Sequence, residues 1–136
     1  HIRRQREPNG RSKRMATQNM GMDILTKVNG IRAANGLKPL RYDTNLDAPA
    51  LVRATEASTL FSHTRPDGTE WYTVNPNLMY GENLAEGYHT ADEVVNAWMA
   101  SPEHKANILK PDFTTMGIGI ANKNGKNYWA QIFGMD

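Results

Sequence analysis

Apolar residues recur at helical spacing in three stretches of the chain and at strand spacing near its end. Between about residues 19 and 35, Ile24, Leu25, Val28 and Ile31 form one stripe, the pattern of an amphipathic helix. "ANGLKP" closes it: Gly36 takes the left-handed position after the last turn, Leu37 folds back, and Pro39 forbids continuation. A second helix is predicted over roughly 45 to 61, with Leu46, Ala50, Leu51, Ala54, Ala57, Leu60 and Phe61 on its buried side. Pro49 falls near its first turn, where amide protons have no helical acceptor. In "TADEVVNAWM", Thr90 and Glu93 spell a capping box, and Val94, Val95, Trp98 and Met99 form the buried face. Ser101 before Pro102 stops that helix and caps a short one over about 102 to 109.

Strand spacing is clearest at the end. "MGIGIANKNGKNYWAQIF" is two alternating runs around Asn124-Gly125, a strong hairpin signal. Met116, Ile118 and Ile120 point one way, while Gly117 and Gly119 leave a face that another element can approach closely. Trp98 and Trp129 both lie in periodic elements and are expected in the core. In "SHTRPDGT", Pro66, Asp67 and Gly68 stand as a type I turn prefers them, which delivers His63 on a loop just after a helix end. Thr69 is expected to start a short helical turn through Trp71, and "GENLAEG" reads as a strand.

With 136 residues the chain is long enough for one hydrophobic core. Its charge is uneven. Residues 1 to 14 hold six of the 16 Lys and Arg and one of the 14 acids, a local net of +5 that leaves −3 on the rest. That arm has no aromatic residue for base stacking and no helical periodicity, so residues 1–18 read as a disordered or artificially added leader rather than a nucleic-acid-binding element. No stretch is long and apolar enough for a membrane span. The absence of cysteine excludes disulfides, thiolate zinc sites and cysteine nucleophiles.

The candidate chemistry is sparse. A lone loop histidine is more often structural than a ligand, and His63, His89 and His104 each carry that reading. Two imidazoles and a carboxylate, however, are the ligand set of many open zinc sites, and His63, Glu82 and His104 supply it if the fold converges them. The first turn of a helix favours a neutral His104. H-E-x-x-H, G-x-S-x-G and P-loop patterns are all absent. Glu82 with Glu103 is an alternative acid/base pair, although Glu103 is equally a favourable charge in a first helical turn.

"FSHTRPDGT", "YGENLAEG", "VVNAWMASPEHKANIL", "FTTMGIGIA" and "YWAQIFG", in that order, resemble the bacterial branch of the CAP superfamily, whose domains are also called SCP-like. The resemblance covers residues 19–136. It implies an α+β fold, a three-layer α-β-α sandwich with a small antiparallel sheet, in an exported or cell-surface protein. It also implies a surface cleft with two histidines and two acids. By motif, His63 and His104 are the metal-binding histidines and Glu82 the first acid, pointing from a sheet edge toward them. Many eukaryotic members place the second glutamate three residues after the tryptophan, where this chain has Ser101, which leaves Glu103 as the candidate fourth member. The expected ligands are zinc or another divalent metal and a small or lipid-like molecule, with no organic cofactor, no nucleic acid and a monomeric chain. The alternatives are a metal-dependent hydrolase with Glu82 as general base and a cell-surface interaction module without cleft chemistry.

Overall fold

The computed structural model describes the chain from residue 10 onward, and helix α1 runs from Gly10 to Ala34. Residues 1–9 of the expected leader lie outside the described residues. The expectation fails for residues 10–18, which form the first turns of α1. No proline interrupts the chain from 10 to 34, so a helix nucleated by the packed stripe propagates backward at little cost per residue. Its far end is as read. Gly36 has φ 73°, and the amides of Leu37 and Gly36 donate to the carbonyls of Arg32 and Ala33, a Schellman closure.

Strand β1 (Arg41–Tyr42) follows, then a 3-10 turn over Thr44–Leu46 and helix α2 (Asp47–Ala57). Asp43 caps that turn through Asn45 N at 2.9 Å. The helix ends four residues before the predicted boundary, where the Ser58 hydroxyl donates to the Thr55 carbonyl at 2.6 Å and competes with the helical ladder. Leu60 and Phe61 are therefore exposed rather than buried; Leu51 is exposed within α2 itself, and Arg53 takes a place in the interior instead.

A 3-10 turn over Trp71–Val74, slightly later than expected, leads to β2 (Gly81–Glu86), α3 (Ala91–Met99), α4 (Pro102–Ile108), β3 (Thr115–Lys123) and β4 (Lys126–Gly134). The capping box at Thr90 and Glu93 is present. Asn124 and Gly125 have φ 56° and 81°, the two positive angles a type I′ hairpin turn requires.

The sheet order is β1-β3-β4-β2. β3, β4 and β2 are antiparallel, whereas β1 pairs parallel to β3 at the opposite edge, so the sheet is not wholly antiparallel. Side-chain alternation sorts the interior into two layers. Met116, Ile118, Ala85, Trp129 and Phe133 pack against α1, α3 and α4 on one face. Leu84, Ala130 and Ile132 pack against α2 on the other. This is the three-layer α-β-α arrangement.

The two-glycine face of β3 is what lets α2 sit down. A Cβ on Gly119 would collide with the backbone carbon of Ala50 and the nitrogen of Leu51. Because backbone cannot rotate aside, Gly119→Ala is expected to push α2 off the sheet and destabilise by about 3 kcal/mol or more, read by urea unfolding. Trp98 is 1% exposed and its Nε1 donates to the Leu84 carbonyl at 3.0 Å. Trp98→Ala should cost about 3–5 kcal/mol in the same measurement; wild-type stability would contradict the packing of α3 on the sheet.

Candidate functional site

The edge strand β2 carries the site because consecutive residues face opposite layers. Glu82 points to the α2 side and Asn83 to the α4 side. Both are buried, Glu82 at 4% exposure and Asn83 at 0%.

On the α2 side, Glu82 meets the buried Arg53. Arg53 Nε donates to Oε2 at 2.7 Å and an NH2 hydrogen to Oε1 at 3.1 Å. The same guanidinium donates to Glu56 Oε1 at 2.8 Å and to the Ser62 carbonyl at 2.6 Å. Glu82 Oε1 also accepts from His63 Nδ1 at 2.8 Å. A carboxylate only accepts, so the neutral His63 imidazole carries its proton on Nδ1 and turns the Nε2 lone pair outward. Both Glu82 oxygens are thus engaged, and a general-base role would require the acid to loosen its hold on Arg53.

On the α4 side, Asn83 Nδ2 donates to the His104 carbonyl at 3.2 Å and to Gln131 Oε1 at 3.1 Å. Asn107 Nδ2 reaches Asn83 Oδ1 at 2.9 Å and the Glu82 carbonyl at 3.1 Å. These amides hang α4, and with it His104, on the strand. Ser101 has the extended backbone of an N-cap, but its hydroxyl makes no capping bond. It lies 2.8 Å from His104 Nδ1 instead, so the side chain expected to cap the helix orients the imidazole. A hydroxyl both donates and accepts, which leaves His104 free to present Nε2 as a lone pair.

His104 has its pKa lowered, first by burial and then by the nearby His63 imidazole, with Glu103 opposing. The expected preference for neutral imidazole holds, with burial as its leading cause. Glu103 is exposed on the first turn of α4. His89 is exposed on the loop before α3, where its amide donates to Glu93 as part of the cap.

Sequence reading misses Arg53, and with it Glu56 and Arg65. Arg65 pairs with both Glu56 oxygens, the closest contact being 2.9 Å. The signal was present: position 53 falls between Ala50, Ala54 and Ala57 on the buried stripe, where an unpaired charge would be prohibitive. Arg32 is the second such residue, four positions after Val28 in α1. It donates to the carbonyls of Lys38, Ile108 and Lys110 at 2.8–3.0 Å, and burial lowers its pKa.

The family model described as CAP, cysteine-rich secretory protein family, matches residues 25–133. The chain belongs to the CAP family. This CAP domain is 33% identical over 117 residues to YkwD of Bacillus subtilis, covering 81% of the chain and 45% of that protein. An extracellular protein containing an SCP domain from Bacillus anthracis superposes with TM-score 0.80 at 22% identity, over 97% of the chain and 45% of its own. An outer surface protein of Borrelia burgdorferi does so with TM-score 0.71 at 25% identity, over 84% and 91%. The chain therefore spans less than half the length of YkwD and of the Bacillus anthracis protein. Among more distant CAP folds, NaASP2 is described with Zn2+ (TM-score 0.66, 15% identity, 83% and 77% covered) and Ac-ASP-7 as manganese-bound (0.58, 17%, 83% and 66%).

The residues present suit a weak, open metal position rather than a closed one. Two imidazoles are each held at Nδ1, one by a buried carboxylate, and a carboxylate behind histidine is the usual outer support of a metal ligand. Among the described residues no group of three or more His, Cys, Asp or Glu is placed to hold a metal ion. An open groove of about 670 Å³ lies between α1 and α3, lined by Met20, Asp23, Thr26, Lys27, Thr90 and Asp92 among others, and shares no residue with the histidines.

A pH test follows for Glu56. Burial alone would raise its carboxyl, but the hydrogen bonds and charges of Arg65 and Arg53 outweigh it and hold the pKa below the ordinary 4.5. As pH falls, the unfolded chain takes up that proton first. The stabilisation is complete above the ordinary carboxylate range and is lost as pH falls through the lower folded value. Glu56→Gln is expected to be less stable than wild type at pH 7, with the difference closing in urea titrations as pH falls through and below the ordinary carboxylate range. A gap independent of pH would show that Glu56 acts by packing alone.

Proposed function

We propose that this CAP domain is an exported or surface-displayed binding domain that holds a divalent cation through Nε2 of His63 and of His104. The observation that carries the reading is the anchoring of both rings at Nδ1, by Glu82 and by Ser101, with no hydrogen-bond partner at either Nε2 among the described residues. The zinc- and manganese-bearing CAP folds support the choice of metal. The extracellular and outer-surface descriptions of the bacterial neighbours support the location. No described helix is long and apolar enough to cross a membrane.

A bound divalent cation supplies a Lewis-acidic centre at the protein surface. This chain's part is to present two neutral imidazoles. Glu82 fixes the His63 tautomer and Ser101 the ring of His104, while the Asn83–Asn107 amides keep α4 in register with β2. The engagement of both Glu82 oxygens favours binding over hydrolysis as the reading of this site. A small or lipid-like ligand would occupy surface beside the metal.

Calorimetric titration with zinc tests the proposal. Binding is expected at pH 7.5 and release at pH 5.5, because imidazole must lose its proton to offer a lone pair. His63→Ala and His104→Ala should each abolish binding, and Glu82→Gln should weaken it by roughly ten- to a hundredfold. Undiminished binding in the double histidine variant would place the metal elsewhere and overturn the reading.

A further inference from the structure

His63 presents a problem of order. Its side chain is 54% exposed, so packing does not fix the ring, and among the described residues its one hydrogen bond is to Glu82. The chain around it is nevertheless pinned on both sides to a single turn of α2. Before it, the Ser62 carbonyl accepts from Arg53 NH2 at 2.6 Å. After it, the Arg65 guanidinium clasps Glu56, with three contacts of 2.9–3.0 Å. Arg53 joins these fastenings, because NH1 binds Glu56 at 2.8 Å and NH2 also binds Oε1 of Glu82, the same oxygen that accepts from His63.

We propose that Arg53 is the positioning residue of the site, setting at once the backbone position of His63 through Ser62 and its ring orientation through Glu82. The inference rests on the metal reading for its purpose but not for its geometry. Two arginines and two glutamates close the network with no net charge, so a neutral imidazole completes it without an uncompensated ion. Lysine cannot substitute. One ammonium offers three donors from a point, whereas Arg53 spreads its bonds to Ser62, Glu56 and both oxygens of Glu82 along a rigid planar fork. Because Arg53 is 0% exposed, its bonds face no competition from water.

The experiment reads two things in the full chain: the His63 tautomer by 15N chemical shift near pH 8, and zinc affinity at pH 7.5. Wild type should show the Nδ1–H form. Arg53→Lys should mix the tautomers and weaken zinc binding about tenfold or more, the range seen when an outer partner of a metal ligand is lost. Val28→Ala, a cavity in the α1 layer away from this network, serves as the stability control and should lower the melting temperature with tautomer and affinity unchanged. Should Arg53→Lys not fold, Glu56→Gln removes one anchor of the same guanidinium and should shift both readouts in the same direction. Wild-type tautomer and affinity in Arg53→Lys, or in Glu56→Gln where that variant must stand in, would overturn the proposal. So would an equal tautomer shift in Val28→Ala, which would reduce the role of Arg53 to general stability. If wild type binds no zinc while the tautomer still responds to Arg53→Lys, the positioning role stands and the metal reading falls.

Discussion

Arg53 and Glu82 meet where α2 crosses the edge of the sheet, with side chains 0% and 1% exposed. Withdrawing two such charges from water costs several kcal/mol each, and mutual attraction offsets that only when the remaining donors and acceptors are also satisfied. Here each guanidinium nitrogen has an acceptor and both carboxylate oxygens have donors. An ion pair of this kind contributes less to net stability than a well-packed apolar pair of the same volume would, while loss of one partner is severe because it strands the other. Its effect is to make the placement of α2, of β2 and of the loop after α2 mutually dependent. The loop cannot shift without leaving a carbonyl and a carboxylate short of donors.

Arg32 solves the same physical problem differently. It has no carboxylate; carbonyls from the segment after α1 and from the end of α4 surround it. The last carbonyls of a helix carry the negative end of its dipole and lack helical partners, so one cation there settles two deficits. The consequence is positional: Arg32 fixes the C-terminal end of α4 to α1, while Asn83 and Asn107 fix the helix along the strand. Each histidine-bearing segment is thus tied down by a buried arginine, one on each face of the sheet.

The fold's local features were legible because they are written in local chemistry. The Thr90–Glu93 box, the Gly36 closure, the Asn124-Gly125 turn and the alternation of Met116, Ile118 and Ile120 each need only a few neighbouring residues. β1 was not legible, since two residues have no periodicity and acquire strand identity only from β3. The boundary of α2 was misread because Leu60 and Phe61 continue the apolar count past the point where the backbone has turned away. In the site, residue types pointed to His63, Glu82 and His104, but their partners are encoded by position. Arg53 and Arg32 sit on apolar stripes, and only the assembled layers show which acceptors await them. Ser101 was read as a cap because sequence reveals the position of a hydroxyl and not the direction in which it turns.

Edge strands expose unpaired backbone groups, and β2 is an edge on the side away from β4. Two carbonyls that point outward, those of Glu82 and Leu84, accept from Asn107 and from Trp98. Side chains of α4 and α3 thereby replace a neighbouring strand. The helix that bears His104 is therefore also the cover of the strand that bears Glu82, and moving it would expose the edge to pairing with another chain. This links the site to the integrity of the sheet: the helix can be displaced only by uncovering a carbonyl, so the two histidines, supplied from opposite layers, are held across a strand that the fold cannot leave open.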